Sequence, residues 1–263
     1  MKKLSEKKYW EKLYDLNGFN NYSKFKSKIA YSLQNYEYFK IIKKYTHNKY
    51  KNIIEIGCAP GGFLIKAHNK LKLKPFGVDY TLNGKLITEK NMKANKITEF
   101  EIFYSDVFST KFQKEKKEKF DIVMSNGFAE HFEDLKKVIN SHANLTKVGG
   151  IIVISIPNLL YFNKYLTIKE VKNICNLDVM NLKTIKQNIP SNIAIKELKY
   201  YGGLFNIGVF FFNNKILEKI RLAIFIGQRL IFDPIGILLS KLGIDLNWKY
   251  SSPAIILIGK KIK

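Results

Sequence analysis

Short apolar runs alternate with amphipathic stretches through the middle of the chain. The apolar runs predict strands at about 53–57, 75–79, 100–104, 120–125 and 150–156. The stretches between them predict helices at about 61–72, 83–95 and 131–145. Such alternation is typical of βαβ units, so we expect an α/β three-layer sandwich with a parallel sheet and ligands at the carboxyl ends of its strands.

Helical patterns precede this core. One helix is predicted over 5–16, with Ser5 as N-cap, and a second over 27–46. The polar segment 17–22 between them has the composition of a flexible lid. Residues 1–50 are therefore predicted to form an N-terminal helical cap.

Two further strands are predicted after the core, at 193–201 and 254–259, which makes seven strands in a mostly parallel sheet. A capping box at 167–170 and Asn181 predict additional helix starts. The chain is interpreted as one domain, with a cofactor-binding core at 51–202, a helical insertion at 203–251 and the last strand within 252–263.

The insertion is too long for a hairpin loop. Its pattern predicts an apolar stretch at 210–212 and two helices, 214–231 and 234–243, with a break at Asp233-Pro234. Basic residues interrupt the apolar positions. Three uses fit: packing, against the sheet or in a homodimer; a cover over the substrate pocket; and a basic amphipathic surface for peripheral membrane contact or a second subunit.

The net charge of the chain is large, but the type of basic residue argues against a nucleic-acid partner. The formal net charge is +23, but 43 of the 45 basic residues are lysines and only Arg221 and Arg229 are arginines. Phosphate and base recognition favours the guanidinium group. Compositional drift toward Lys, Asn and Ile explains the charge better, so nucleic acid is not the expected partner.

Cysteine usage and the N-terminus bound the environment. Cys58 and Cys175 are too few for a disulfide framework, a four-ligand zinc site or a cysteine-held iron–sulfur cluster, and no His/Asp/Glu spacing indicates a metal site. No signal-peptide pattern and no run of 18 apolar residues occurs. We expect a cytoplasmic protein with polar chemistry.

The first predicted strand ends in a glycine-rich turn, IIEIGCAPGGF at 53–63. A dinucleotide fingerprint would place a glycine where Ala59 stands, because the pyrophosphate needs a close approach there. Glu55 precedes the turn, where a carboxylate repels phosphate and attracts an ammonium group. Pro60 suits the first turn of a helix. These features favour a nucleotide-like ligand with a free amino group and no phosphates.

Five segments in register resemble the class I S-adenosylmethionine-dependent methyltransferases, which have a Rossmann-like fold. The resemblance covers about 53–201 and lies in 53–63, 78–79, 105–107, 120–132 and 149–158. It implies S-adenosyl-L-methionine as cofactor and S-adenosyl-L-homocysteine as product. The segment Ser252-Pro253 before the final strand is similar to the carboxyl-terminal end of the family.

The resemblance also implies residue roles. Glu55 and the loop would hold the methionine moiety, Asp79 both ribose hydroxyls, and Asp106 with Val107 the adenine amino group. Asn126 and Gly127 would lie beside the sulfonium. The remaining predicted cofactor residues are loop members and the neighbour of Asp79: Gly57, Cys58, Ala59, Pro60, Gly61, Gly62, Phe63 and Tyr80. An ordinary loop carboxylate that caps a helix is the alternative for each aspartate, and a small packing residue is the favoured interpretation of Cys58.

His131 is the candidate general base, because it follows the fourth strand and imidazole titrates near neutral pH. Glu130 would orient it. A structural histidine at a helix start is the alternative. The other histidines are interpreted as surface or packing residues. Pocket-wall candidates with weaker support are Tyr14, Tyr22, Asn158 and Tyr201.

The acceptor is less constrained than the cofactor. The turn Ala59–Phe63 also resembles ribosomal-RNA ribose methyltransferases, but their aspartate and lysine after the fourth and fifth strands are replaced here by Ser125-Asn126 and the run 155–158. The arrangement looks more like bacterial O-methyltransferases acting on small molecules or on sugar and cell-envelope intermediates. A domain that binds the cofactor or a partner protein without turnover is the remaining alternative.

Overall fold

The structure is a computed structural model that describes residues 2–14, 32–166, 169–205 and 215–263. A single seven-stranded sheet has the order β3-β2-β1-β4-β5-β7-β6. The strands are β1 (Asn52–Ile56), β2 (Lys74–Asp79), β3 (Glu101–Tyr104), β4 (Phe120–Asn126), β5 (Thr146–Pro157), β6 (Ile193–Tyr201) and β7 (Ala254–Lys261). Strand β7 is antiparallel to both of its neighbours, and the first five strands pair in parallel.

Helices cover both faces of this sheet. They are α1 (Lys7–Leu13), α2 (Leu33–Tyr45), α3 (Gly62–Leu71), α4 (Leu82–Ala94), α5 (Thr110–Glu115), α6 (Leu135–Leu145), α7 (Phe162–Leu166), α8 (Lys169–Asn173), α9 (Leu182–Gln187), α10 (Lys215–Gly227) and α11 (Asp233–Lys241). Neighbouring strand residues pack on opposite sides: Ile53 joins the cluster with α2 and α3, and Ile54 joins the cluster that includes Phe112 of α5. The predicted α/β sandwich is confirmed.

Several predicted boundaries shift for local reasons. The helix expected from 131 begins at Leu135, because the side chain of Asp134 accepts a hydrogen bond from Lys137 N and caps it. Residues 129–131 instead form a 3-10 turn. Ser5 is not an N-cap; its hydroxyl accepts from Trp10 Nε1. The cap predicted at Asn181 is confirmed.

The predicted break at Asp233-Pro234 is wrong. Helical backbone continues from α10 through a π-helical segment, Gln228–Phe232, into α11. Pro234 lies in the first turn of α11, where a missing N–H costs little, and the wider π turn accommodates it. The result is one continuous helical segment from 215 to 241 with a π-helical turn inside it. The lid at 17–22, the start of the helix at 27–46, the first half of the 167–170 capping box and the apolar stretch at 210–212 lie outside the described residues.

The insertion leaves and rejoins the sheet at the same end of its strands. Ala254, at the start of β7, pairs with Tyr201 at the end of β6 and with Pro157 at the end of β5. The parallel strands have their carboxyl ends here, and ligands bind at those ends in open α/β sheets. The insertion therefore starts and finishes beside the candidate site.

The histidine of α6 makes a testable contribution to stability. His142 is fully buried; its Nδ1 lies 2.8 Å from Val138 O and its Nε2 2.9 Å from Ser125 Oγ. A carbonyl only accepts, so Nδ1–H donates to Val138 and Nε2 accepts from the Ser125 hydroxyl. Both nitrogens are satisfied in the neutral ring, and burial lowers the pKa of His142 to about 4.

We expect acid to destabilise the wild type more than His142→Gln. The ordinary pKa is 6.5 and the folded one about 4, so the unfolded chain binds the extra proton between these values. Stability is therefore lost as pH falls through that window, by about 3 kcal/mol for this shift. Urea unfolding of both proteins from neutral pH to pH 4 measures the difference. A difference in unfolding free energy that is constant with pH would contradict the prediction.

Candidate active site

The turn after β1 depends on two glycines with positive φ. Gly57 has φ 67°, its N–H donates to Val78 O, and a Cβ on it would lie 2.8 Å from the Phe128 ring. Gly61 has φ 89° and is the N-cap of α3. Helix α3 therefore begins at Gly62, and Pro60 lies in the turn rather than in the first helical turn. Backbone N–H groups at this helix start can bind an anionic group.

Glu55 Oε2 and Asn126 Nδ2 are among the buried side-chain atoms that have no hydrogen-bond partner in the described residues. Glu55 is 3% exposed, and the Leu64 N–H donates to its carboxyl group. Burial, the largest effect, raises the pKa of Glu55 well above its usual range. Native proteins rarely leave such atoms unpaired, so an acceptor at the end of β1 and a donor at the end of β4 indicate a ligand-binding function.

Asp79 links β2, the glycine turn and α4. Its Oδ1 accepts from the Thr81 N–H at 2.9 Å and the Thr81 hydroxyl at 2.6 Å, and its Oδ2 accepts from Ala59 N at 3.3 Å. Burial nevertheless raises the pKa of Asp79. Thr81, which caps α4 by accepting from Gly84 N, is thus held by the carboxylate. Asp79 both supports a helix start and borders the site.

Asp106 stands at the next strand end, on the far side of Asp79. Its Oδ1 accepts from Phe108 N, and its Oδ2 forms an ion pair of 2.8 Å with the Lys3 ammonium. The same ammonium lies 4.4 Å from the centre of the Tyr80 ring. A basic group from the N-terminus therefore occupies the position at which the resemblance implies an adenine amino group.

Residues 2–14, which we name the N-terminal strap, close over the site. Leu4 N donates to His131 O, and the Trp10 ring meets the His131 ring edge-on at 5.0 Å. The Glu11 carboxylate accepts from the backbone N–H groups of residues 82 and 83 at the start of α4. Tyr14 stacks on Trp10, and burial and the charge of Asp79 raise its pKa. Sequence reasoning predicted Tyr14 but not Lys3 or Glu11, since no spacing signals contacts 70 or more residues away.

His131 lies under the strap with one nitrogen engaged. Its Nδ1 is 2.7 Å from Ile174 O, so Nδ1–H donates and Nε2 is the basic atom of the neutral ring. Nε2 lies 3.8 Å from Glu130 Oε1. Glu130 is 2% exposed and burial raises its pKa, partly opposed by His131. The pair provides a base with a buried carboxyl group beside it.

Four predicted site residues have packing roles instead. The Phe63 ring packs against Tyr38 and Phe39 of α2, because its position on α3 faces the core. Cys58 is buried, and its sulfur fills the space beside Gly77 that a Cβ there would need. The other two are Asn158 and Tyr201.

Asn158 and Tyr201 are 1% exposed and use their polar atoms internally. Asn158 Nδ2 donates to Lys249 O and Ser252 O, which fixes the returning chain to the end of β5. The Tyr201 hydroxyl lies 2.6 Å from Ser155 Oγ. Both are therefore structural rather than pocket-wall residues. Tyr22 lies outside the described residues.

A cavity of about 20 Å³ remains between Gly57, Asp79, Tyr80, Asp106 and Phe128, and Lys3 forms part of its wall. That volume holds about one water molecule. A nucleoside ligand therefore requires the strap to move and Lys3 to leave Asp106. Within 2–14, 32–166, 169–205 and 215–263, no cluster of three or more His, Cys, Asp or Glu residues suits a metal ion.

The profile of a methyltransferase-domain family matches residues 47–204. That match covers more than half of the chain, which belongs to this family of S-adenosylmethionine-dependent methyltransferases. S-Adenosylmethionine is its cofactor, and the unpaired acceptor at Glu55 and donor at Asn126 fit the ammonium and other polar groups of that ligand.

Solved structures share the fold at low sequence identity. The [4+2]-cyclase SpnF is 12% identical with a TM-score of 0.54, over 84% of this chain and 79% of that one. The MccD protein is 16% identical with a TM-score of 0.54, over 86% and 96%. Phosphoethanolamine N-methyltransferase 2 of Haemonchus contortus, in complex with S-adenosyl-L-methionine, is 18% identical with a TM-score of 0.53, over 86% and 52%. No curated protein matches the chain in sequence.

Proposed function

We propose that the protein transfers the methyl group to a hydroxyl oxygen of a small molecule or of a sugar-containing cell-envelope intermediate. The observation that carries the proposal is His131, whose Nδ1 is held by Ile174 O so that Nε2 is the basic atom, just beyond β4. A hydroxyl acceptor needs such a base, whereas an activated carbon or a free amine has less need of one.

The cofactor residues follow from the same edge of the sheet. In the proposal Glu55 accepts from the ammonium group, the N–H groups at the start of α3 bind the carboxylate, and Asp79 accepts from both ribose hydroxyls. Asp106 accepts from the adenine amino group once Lys3 has left it. When bound, S-adenosylmethionine supplies a methyl group already activated by its sulfonium.

The chain's own chemistry is proton transfer and alignment. The acceptor oxygen would bond to the methyl carbon as the carbon–sulfur bond breaks and S-adenosylhomocysteine leaves, and Nε2 of His131 would take the hydroxyl proton. The resulting imidazolium keeps its Nδ1–H bond to Ile174 O, and Glu130 at 3.8 Å favours the positive charge. Trp10 covers the histidine and excludes water from this step.

The test uses methyl-labelled cofactor with separate pools of nucleotide sugars, polysaccharide precursors and RNA. We expect label in a sugar-containing pool, and His131→Gln to slow transfer about hundredfold or more without changing cofactor affinity. His47→Gln, an exposed histidine against Tyr50, is the matched control.

Three results would count against the proposal. Label in RNA alone would show that the proposed acceptor class is wrong. Unchanged turnover in His131→Gln would show that this residue has a structural role. The fold also occurs in a [4+2]-cyclase, so cofactor binding with no label transfer to any pool would favour a binding domain without turnover.

A further inference from the structure

The helix that runs from 215 to 241 exposes apolar side chains to an unusual extent. We name the exposed set the apolar ridge: Ile216, Ile220, Ile224, Leu230, Phe232 and Leu238. Leu230 is 71% exposed and Ile216 69%. Singly exposed apolar residues are ordinary, but a contiguous series along one helix indicates a binding surface.

The α11 half of this helix packs on the rest of the protein. In α11, Gly236 lies against Leu33 of α2, and the Lys40 ammonium contacts Ser240. Gln228 donates to Phe205 O. The α10 half, by contrast, is exposed on more than one side, since Leu217 and Leu222 are exposed as well as the ridge. A helix that combines exposed apolar side chains with basic residues is typical of an interfacial surface.

Positive charge predominates along this segment: residues 215–249 contain six basic residues and three acidic ones, Glu218, Asp233 and Asp245. Lys219, Lys241 and Lys249 are exposed, as is Asp245, whereas Asp233 is buried and paired with Arg229. Half-exposed Trp248 lies 6.4 Å from the ring of Phe162, which is also exposed. Lysines beside exposed aromatic and aliphatic side chains are typical of helices that lie at a lipid–water interface.

We propose that the apolar ridge inserts into the surface of a bilayer containing anionic lipid. The chain carries a formal charge of +23, so a second copy would bring lysines against lysines, whereas anionic headgroups complement them. The occupant is therefore a lipid surface rather than another subunit.

The helix lies on the bilayer instead of crossing it. Residues Lys219–Lys241 are long and apolar enough to span, with a mean hydropathy of 1.7 over an 18-residue stretch within these 23 residues. However, α11 is packed on α2, and the insertion begins and ends at neighbouring positions of the sheet, Tyr201 and Ala254. A crossing would separate those ends by the thickness of the bilayer.

The insertion joins the sheet at the strand ends where the candidate site lies. Binding through the ridge would therefore bring that end of the sheet to the membrane. The acceptor would then be amphiphilic, a hydroxyl-bearing headgroup on a lipid carrier, and this step alone rests on the proposed function. Membrane binding itself requires neither cofactor nor acceptor.

The full-length protein without cofactor is tested by flotation with two kinds of vesicle: pure phosphatidylcholine, and equimolar phosphatidylglycerol and phosphatidylcholine. We expect binding to the anionic vesicles that weakens in high salt. Ile220→Asp with Leu230→Asp should weaken it about tenfold or more, because two side chains that the bilayer would bury become charged. Lys219→Glu with Lys241→Glu should remove the preference for anionic vesicles.

Val148→Asp with Ile262→Asp is the matched control. Both residues are exposed, at 58% and 48%, and lie near the start of β5 and just after the end of β7, at the strand ends away from the insertion. Unchanged flotation of the ridge variant, equal binding to both vesicles, or a dimer that the ridge variant abolishes without any vesicle binding would overturn the proposal. Calorimetry with S-adenosylmethionine on the same samples confirms folding and reports separately on the proposed function.

Discussion

Replacing Asp79 with alanine is expected to weaken S-adenosylmethionine binding about hundredfold or more, because two hydrogen bonds to a charged group are lost. Asp79 lies at the end of β2, 6% exposed, beside the cavity that the turn and Asp106 border. Thr81 and Ala59 donate three hydrogen bonds to it, and burial still raises its pKa. A carboxylate accepts about four hydrogen bonds, so Oδ2 keeps an open acceptor position for a ligand hydroxyl. Isothermal titration calorimetry measures the loss.

Asp121→Ala is the matched control for this prediction. Asp121 is also buried, but it lies at the opposite end of the sheet, accepts from the N–H groups of Lys51 and Asn52, and pairs with Lys147. Burial raises its pKa, yet these bonds outweigh burial and the net pKa is lowered. We expect Asp121→Ala to lower stability and leave cofactor affinity unchanged. Equal losses of affinity in the two variants would show that Asp79 acts only through folding.

Burial of the strands explains why the fold was predictable from the sequence. The central strands β1, β4, β5 and β7 are buried on both faces over most of their length, so each contains an apolar run that ends in a turn. The sequence predicted all seven strands to within a few residues. The Rossmann-like class is confirmed for the same reason. A local signal, the carboxylate before the glycine turn, made Glu55 a candidate, whereas the role predicted for Asp79 came from the family resemblance.

Long-range contacts account for what was missed. Lys3 reaches Asp106 across 103 residues, and no periodicity encodes that pair. The same holds for Asn158, whose bonds to the returning chain at 249 and 252 exist only once β7 has paired with β5. The continuous helix through Pro234 was missed because proline was interpreted as a break, although its position in the first turn of α11 is compatible with helix.

Glu55→Gln is expected to stabilise the cofactor-free protein and weaken cofactor binding about tenfold or more. Burial holds the pKa of Glu55 well above its usual range, and Oε2 has no partner among the described residues. Glutamine keeps the shape without the ionisable group. An uncharged amide is a weaker partner than a carboxylate for an ammonium group, so affinity falls.

The pH dependence has a fixed sign. The unfolded Glu55 ionises near its usual pKa of 4.5 while the folded side chain keeps its proton to much higher pH. Its contribution to stability is therefore present below pH 4.5 and lost as pH rises through the folded pKa. The stability advantage of Glu55→Gln over the wild type should grow over that range in urea unfolding.

Cofactor binding should reverse this balance in the wild type alone. An ammonium group beside Glu55 favours the ionised carboxylate, so binding releases its proton. Calorimetry in two buffers with different ionisation enthalpies measures that release, and the proton contributed by Glu55 should be absent in Glu55→Gln. A variant that loses stability and affinity together, with the same proton release as the wild type, would mean that Glu55 supports the turn rather than the ligand. A carboxylate that binds the ligand lowers the stability of the cofactor-free protein, whereas a structural carboxylate raises it.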